Sequence, residues 1–149
     1  MDTISKTPAG TLCPACGTIL PCQPHAPGID VPCPECGYLL WCRMRVVNGV
    51  FLLYVVPGVT PEHADVERLC ERLVASDDVP CVVFDLSDLD LISSAITARL
   101  IAVNKRVRAA KGKLVLCGLC PFLLETFKGS RLDRVFNIAK DEEAALASF

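Results

Sequence analysis

No stretch of this sequence approaches the ~18 uninterrupted apolar residues that a membrane span requires. The longest obvious apolar run, Val50 to Val56, is closed by Pro57-Gly58, and a run that short reads as a buried strand. An excess of one charge is lacking too. Fifteen Lys and Arg stand against 17 Asp and Glu, a net −2, which gives no general attraction to nucleic acid or to an acidic membrane surface. The opening "MDTISKTPAG" has neither the cationic start nor the apolar middle of a secretory signal. The expected location is therefore the cytoplasm, where ten cysteines argue for metal binding or buried thiols over disulfides. Two further absences point away from an enzyme. No glycine-rich phosphate loop is found, and no nucleophile, base and orienting group stand in recognisable order.

What the chain does have is a phrase written twice: "CPACGTILPC" from Cys13 to Cys22 and "CPECGYLLWC" from Cys33 to Cys42, matching at six of ten positions. Two Cys-x-x-Cys turns supply the four soft ligands of a closed, tetrahedral structural zinc site. Cys13, Cys16, Cys33 and Cys36 are the expected ligands, as in the zinc ribbons found on many unrelated proteins. Pro14 and Pro34 stiffen the turns, while Gly17 and Gly37 permit the tight backbone after the second sulfur. With four protein ligands no position is left for a substrate water, so the zinc is expected to be structural. Residues 1–45 are charge-balanced and hold few large apolar side chains: Leu12, Ile19, Leu20, Ile29, Leu39, Leu40 and Trp41. A segment that small needs a staple. Cys22 and Cys42 lie too far along to reach the same ion; they read as buried strand cysteines, or with His25 as ligands of a second ion.

From Val46 the patterns become regular. "MRVVNGVFLLYVV" is a hairpin turning at Asn48-Gly49. Thr60-Pro61 is expected to open a helix with threonine as N-cap, burying Val66, Leu69, Cys70, Leu73 and Val74. "CVVFDL" (Cys81 to Leu86) and "KLVLC" (Lys113 to Cys117) are strands covered on both faces. Between them a helix from about Ser94 to Lys111 buries Ile96, Leu100, Val103 and Val107, with Gly112 expected at C′. A short helix "PFLLETFKG", a strand in "RVFNI" and a last helix capped by Asp141 complete an α/β chain with a mainly parallel sheet. No Gly/Ser or Pro-rich linker separates the two parts. Residues 1–45 and 46–149 are expected to be rigidly coupled.

On "FDLSDLDLI", "AAKGKLVLCG" and "SRLDRVFNI", residues 46–149 resemble the STAS domain, the module shared by sulfate transporters and anti-sigma-factor antagonists. That family's helix usually begins Asp-Ser-Ser-Gly, with the first serine phosphorylated by a partner kinase. In register these positions fall on Ser93, Ser94, Ala95 and Ile96, so the acceptor position is Ser94 while the acidic residue and glycine are replaced. The resemblance implies a bacterial regulator whose surface, formed by Asp88, Asp90, Ile92, Ser93, Ser94 and Thr97, docks a serine-kinase-like anti-sigma factor and releases a sigma factor. A serine at a helix start is also an ordinary N-cap, and both readings stand. The alternatives are an unphosphorylated scaffold subunit, compatible with homo-oligomers, and a dithiol oxidoreductase using Cys117 and Cys120. Against the last, the 29 residues after Cys120 cannot supply the rest of a thioredoxin-like fold. The cations Lys105, Arg106, Arg108, Lys111 and Lys113 read as a solvated helix end, His63 as a residue without a metal-ligand partner, and Asp85, Asp88 and Asp90 as loop and cap residues.

Overall fold

The computed structural model describes residues 11–20, 32–33, 35–75 and 78–149. Its centre is a five-stranded sheet in the order β1 (Cys42–Val47), β2 (Val50–Val55), β3 (Cys81–Asp85), β4 (Lys113–Cys117), β5 (Asn137–Ala139). β1 and β2 are antiparallel, with Val47 opposite Val50, and every later pair is parallel. The hairpin turn is Asn48-Gly49, with φ of 50° and 81°. Both residues adopt the left-handed backbone that a two-residue hairpin of matching twist demands. Helices α1 (His63–Leu73), α2 (Ser94–Ala109), α3 (Pro121–Gly129) and α4 (Glu142–Ala147) supply the crossovers and cover. No described helix is long and apolar enough to cross a membrane.

Because side chains alternate along a strand, the sheet has two apolar faces. One carries Leu53, Val55, Val82, Phe84, Leu114 and Leu116 and packs under α1, α2 and α3. The other carries Val50, Leu52, Tyr54, Val83, Val115 and Cys117 under Ala145 of α4. That second face is tied at its rim by Tyr54, whose hydroxyl donates to Glu142 (3.0 Å) and accepts from Arg45 (3.2 Å). Asp141 caps α4 by accepting from the Ala144 N–H.

Two helix ends differ from the sequence reading. α1 starts at His63 rather than at Pro61, and its N-cap is Glu62, not Thr60. The Glu62 side chain accepts from the Asp65 N–H, and the Asp65 carboxylate accepts from the Glu62 N–H at 2.8 Å. This reciprocal pair satisfies two free donors at once, which a lone threonine cap does not. Val74 is accordingly the half-buried C-cap, outside the apolar stripe. At the other end, α2 closes at Ala109 and the left-handed C′ residue is Lys111 (φ 65°), not Gly112. The Gly112 N–H returns to Val107 O and the Lys111 N–H to Arg108 O, the two bonds of a Schellman ending. Gly112 is required for another reason: a Cβ there would collide with the Pro80 carbonyl. In "RVFNI" only Asn137 and Ile138 join the sheet, after a 3-10 turn, Leu132–Arg134.

Candidate metal centre and partner surface

The doubled phrase folds as twin turns. In the first, Cys13 N–H donates to Thr18 O, Gly17 N–H to Cys13 O and Ala15 N–H to Cys13 Sγ. In the second, Cys33 N–H donates to Tyr38 O, Gly37 N–H to Cys33 O and Glu35 N–H to Cys33 Sγ. Gly17 and Gly37 take φ of 80° and 76°, the backbone state that favours glycine. At Cys13 the N–H groups aimed at the sulfur favour the thiolate, but burial opposes it more strongly. The turns face each other, and all four sulfurs lie within 4.8 Å of one another. Cys13 and Cys36 stand 3.8 Å apart, Cys16 and Cys33 3.7 Å. With Zn–S bonds of about 2.3 Å, a regular tetrahedron spaces its sulfurs about 3.8 Å apart. A disulfide would need about 2.05 Å. The donor set therefore fits a tetrahedral thiophilic metal. Burial pushes the Cys13 thiol up to about 12, whereas the Cys16 thiol, exposed and held first by the Thr18 backbone, is lowered to about 7. A bound cation would hold all four as thiolates.

The site is fastened to the sheet by residues whose role sequence reasoning missed. Tyr38 is buried; its hydroxyl donates to Asp65 O in the first turn of α1 (2.7 Å) and accepts from Trp41 Nε1 (2.8 Å). Arg68 lies over the Tyr38 ring, and the Arg72 guanidinium rests against Gly17 and donates to Ala15 O. Trp41 is fully buried with its ring 6.0 Å from that of Phe84. Leu12 pairs with Met44 of β1 through both backbone bonds. Leu20, Leu40, Trp41 and the two first cysteines share one apolar cluster with the sheet and α1; Ile19 instead faces solvent. Cys42 begins β1, fully buried, and burial pushes its thiol well above the usual range. Ile29, Cys22 and His25 lie outside the described residues, so the second-ion reading lies there too. The helical spacing of Arg68 and Arg72 behind the stripe of α1 was the available signal for the clasp.

The residues expected to form the partner surface lie at the start of α2 and in the loop before it. Ser93 is the N-cap of α2, its hydroxyl accepting from the Ile96 N–H at 3.1 Å. Ser94 is the first helical residue and is exposed. Thr97 donates back to Ser93 O. Asp90 is exposed in the preceding loop and Asp88 half-buried, while Asp85 is turned to its own chain, accepting from Ser87. Ile92 and Ser93 line a groove of about 610 Å³ with Val59, Leu89, Ile96 and Phe122. Leu91 and Phe122 stand 69% and 60% exposed on its flanks, a large apolar investment for open surface. Sequence reasoning missed this groove. Leu123 and Phe127 are the buried positions of α3, and that stripe already leaves Phe122 outside.

The remaining motifs do not converge. Cys117 packs under α4 while Cys120, the N-cap of α3, packs against the opposite cluster. Burial pushes the Cys117 thiol up to about 12, the reverse of an activated nucleophile. His63 is exposed, 3.8 Å from Glu67. The four cysteines are the one group of potential metal ligands among the described residues.

Comparison with known proteins bears on the sheet-and-helix part of the chain. The profile described as "STAS domain" matches residues 46–145, beginning after the four cysteines. BtrV of Bordetella bronchiseptica, a proposed anti-sigma factor antagonist, is 36% identical over 115 residues, 76% of this chain and 87% of that protein. Among solved structures, an anti-sigma-factor antagonist (STAS) domain protein from Planctomyces limnophilus superposes with a TM-score of 0.55 at 22% identity, covering 72% of this chain and 97% of the other. A proposed anti-sigma factor antagonist from Thermotoga maritima gives 0.53 at 14% identity, covering 70% and 91%. At such identities the structural likeness establishes the fold.

Proposed function

The chain belongs to the STAS domain family, and on that premise we propose that it is a cytoplasmic bacterial regulator of the anti-sigma-factor antagonist kind, acting by contact and not by turnover. Its partner is a serine-kinase-like anti-sigma factor, which it occupies so that a sigma factor is released. The docking surface is the start of α2 with its loop: Asp88, Asp90, Ile92, Ser93, Ser94 and Thr97. One observation carries this reading. Ser93 already supplies the cap, its hydroxyl accepting from the Ile96 N–H, so the exposed hydroxyl of Ser94 is not needed for capping. A phosphate on Ser94 would meet free N–H groups and the positive end of the helix, and is locally tolerated. It would also add about −1.5 to −2 charge to a surface already holding Asp88 and Asp90, and so repel a partner. Ser94→Glu is expected to weaken a saturable complex with the cognate kinase-like protein by at least about tenfold; isothermal titration measures it. Unchanged affinity removes this surface from the proposal.

Zinc held by Cys13, Cys16, Cys33 and Cys36 fixes the N-terminal segment as a ribbon (residues 1–45) against the STAS domain (residues 46–149). When bound it supplies cross-linking of the two turns and no open coordination position. A second reading, an unphosphorylated scaffold subunit, is favoured by one feature: Ser93 and Ile96 occupy the positions where the family carries aspartate and glycine. No phosphate on intact-mass analysis after kinase treatment, together with a large assembly on sizing, would select it.

A further inference from the structure

The arginines of the described residues fall into two groups. Arg45 pairs with Glu142 and Arg106 with Glu67. Arg72 and Arg99 donate to the carbonyls of Ala15 and Pro61, Arg43 donates to Thr11 and Arg68 covers Tyr38. Arg108, Arg131 and Arg134 have no comparable partner among the described residues. They gather at one end of the molecule. There the last turn of α2, the start of β4 and the 3-10 turn enclose a cleft of about 400 Å³, the size of a small-ligand site (roughly 300–1,000 Å³). Arg108 and Arg134 line it with Lys113, Asn104, Asn137 and a single carboxylate, Asp133; Arg131 stands at the head of the same turn.

Three features define what such a cleft takes. Arg108 and Arg134 both line this cleft and put like charge around it; an oxyanion held there offsets that charge and matches their forked donors. The negative end of α2 would oppose an anion, but the carbonyls of Arg106, Val107 and Arg108 are already occupied by the N–H groups of Ala110, Lys111 and Gly112. Asp133 would repel a bare anion and accept from a hydroxyl. Lys113 is partly committed, donating to Ser148 O and lying over the Phe149 ring, so the arginines carry the charge. We propose that this cleft binds a small polyhydroxylated phosphate, its phosphate held by Arg108 and Arg134 and a hydroxyl by Asp133. The site is separate from the partner surface: from Ser94 to Arg108 runs fourteen residues of helix, about 21 Å at about 1.5 Å per residue.

The test is titration of the metal-loaded, nitrogen-labelled full chain with ribose 5-phosphate, followed by amide chemical shifts. Saturable shifts confined to residues 104, 112–114 and 133–137 are expected. Arg108→Ser with Arg134→Ser should weaken binding at least about tenfold, while Lys128→Ser with Lys140→Ser, and separately Ser94→Glu, leave it unchanged. Absence of saturable shifts at millimolar ligand overturns the proposal. So does equal weakening by the lysine pair, which would mean diffuse charge attraction. Because Ser94→Glu is silent here, failure of this site and failure of the partner surface are read separately.

Discussion

Around β3 and α2 each side chain is held by what packs on it: Val82, Val83 and Phe84 are fully buried between helices on both faces, and Leu100, Val103 and Val107 close one of them. Around Cys13 and Cys33 four sulfurs lie within 4.8 Å of one another, and the large buried side chains among the described residues there are few: Leu20, Tyr38, Leu40 and Trp41. The sheet draws stability from many apolar contacts, so one loss weakens the whole and leaves the other contacts in place. With a metal bound, the stability of the twin turns would rest on four atoms, so one loss would be felt throughout them. Both nevertheless share one apolar cluster, joined at Trp41, Phe84 and α1.

That contrast can be broken from either side. The largest effect should come from the metal. Removing it with a strong chelator, or by Cys33→Ser, should unfold the ribbon, since structural zinc contributes on the order of 10 kcal/mol or more to such turns. Elemental analysis should fall from one zinc per chain, and the near-ultraviolet signal of Trp41 should collapse while far-ultraviolet helix and strand content of the sheet region persists. A chain that never carries stoichiometric metal would refute the four-thiolate site. Leu100→Ala attacks the other side. It should cost about 2–5 kcal/mol by thermal unfolding yet leave the zinc count at its original value. Smallest, and aimed at the seam, Tyr38→Phe removes the hydroxyl that serves Asp65 O and Trp41 Nε1 together. An expected loss of about 1–3 kcal/mol should be accompanied by faster chelator extraction of the metal. Extraction at the parent rate would mean the two regions are not coupled through α1.

Much of this architecture was legible in the sequence where local chemistry is self-sufficient. Pro121 and Gly129 bound α3 as read, Asn48-Gly49 turns the hairpin, and the Cys-Pro-x-Cys-Gly repeats fold as twins because each turn closes on its own backbone. The misreadings come where a residue answers to distant partners. Thr60-Pro61 has every local mark of a helix start, but the Glu62–Asp65 pair wins by satisfying two donors. Gly112 looked like a left-handed cap, yet its hydrogen is needed for Pro80, thirty-two residues earlier. The groove beside Ser93 draws its walls from β2, the loop before α2 and α3, a juxtaposition that only the parallel crossovers create.

The pairing of Leu12 with Met44 reaches beyond anchoring. β1 is the outermost strand on its side of the sheet, and unpaired edge strands invite neighbouring chains to stack on them. By occupying the outward N–H and C=O of Met44, the first turn acts as a bumper against edge-to-edge growth. Stripping the metal should therefore do more than loosen one end: it uncovers an adhesive rim, and the apo chain should clump at concentrations where the loaded chain stays dispersed.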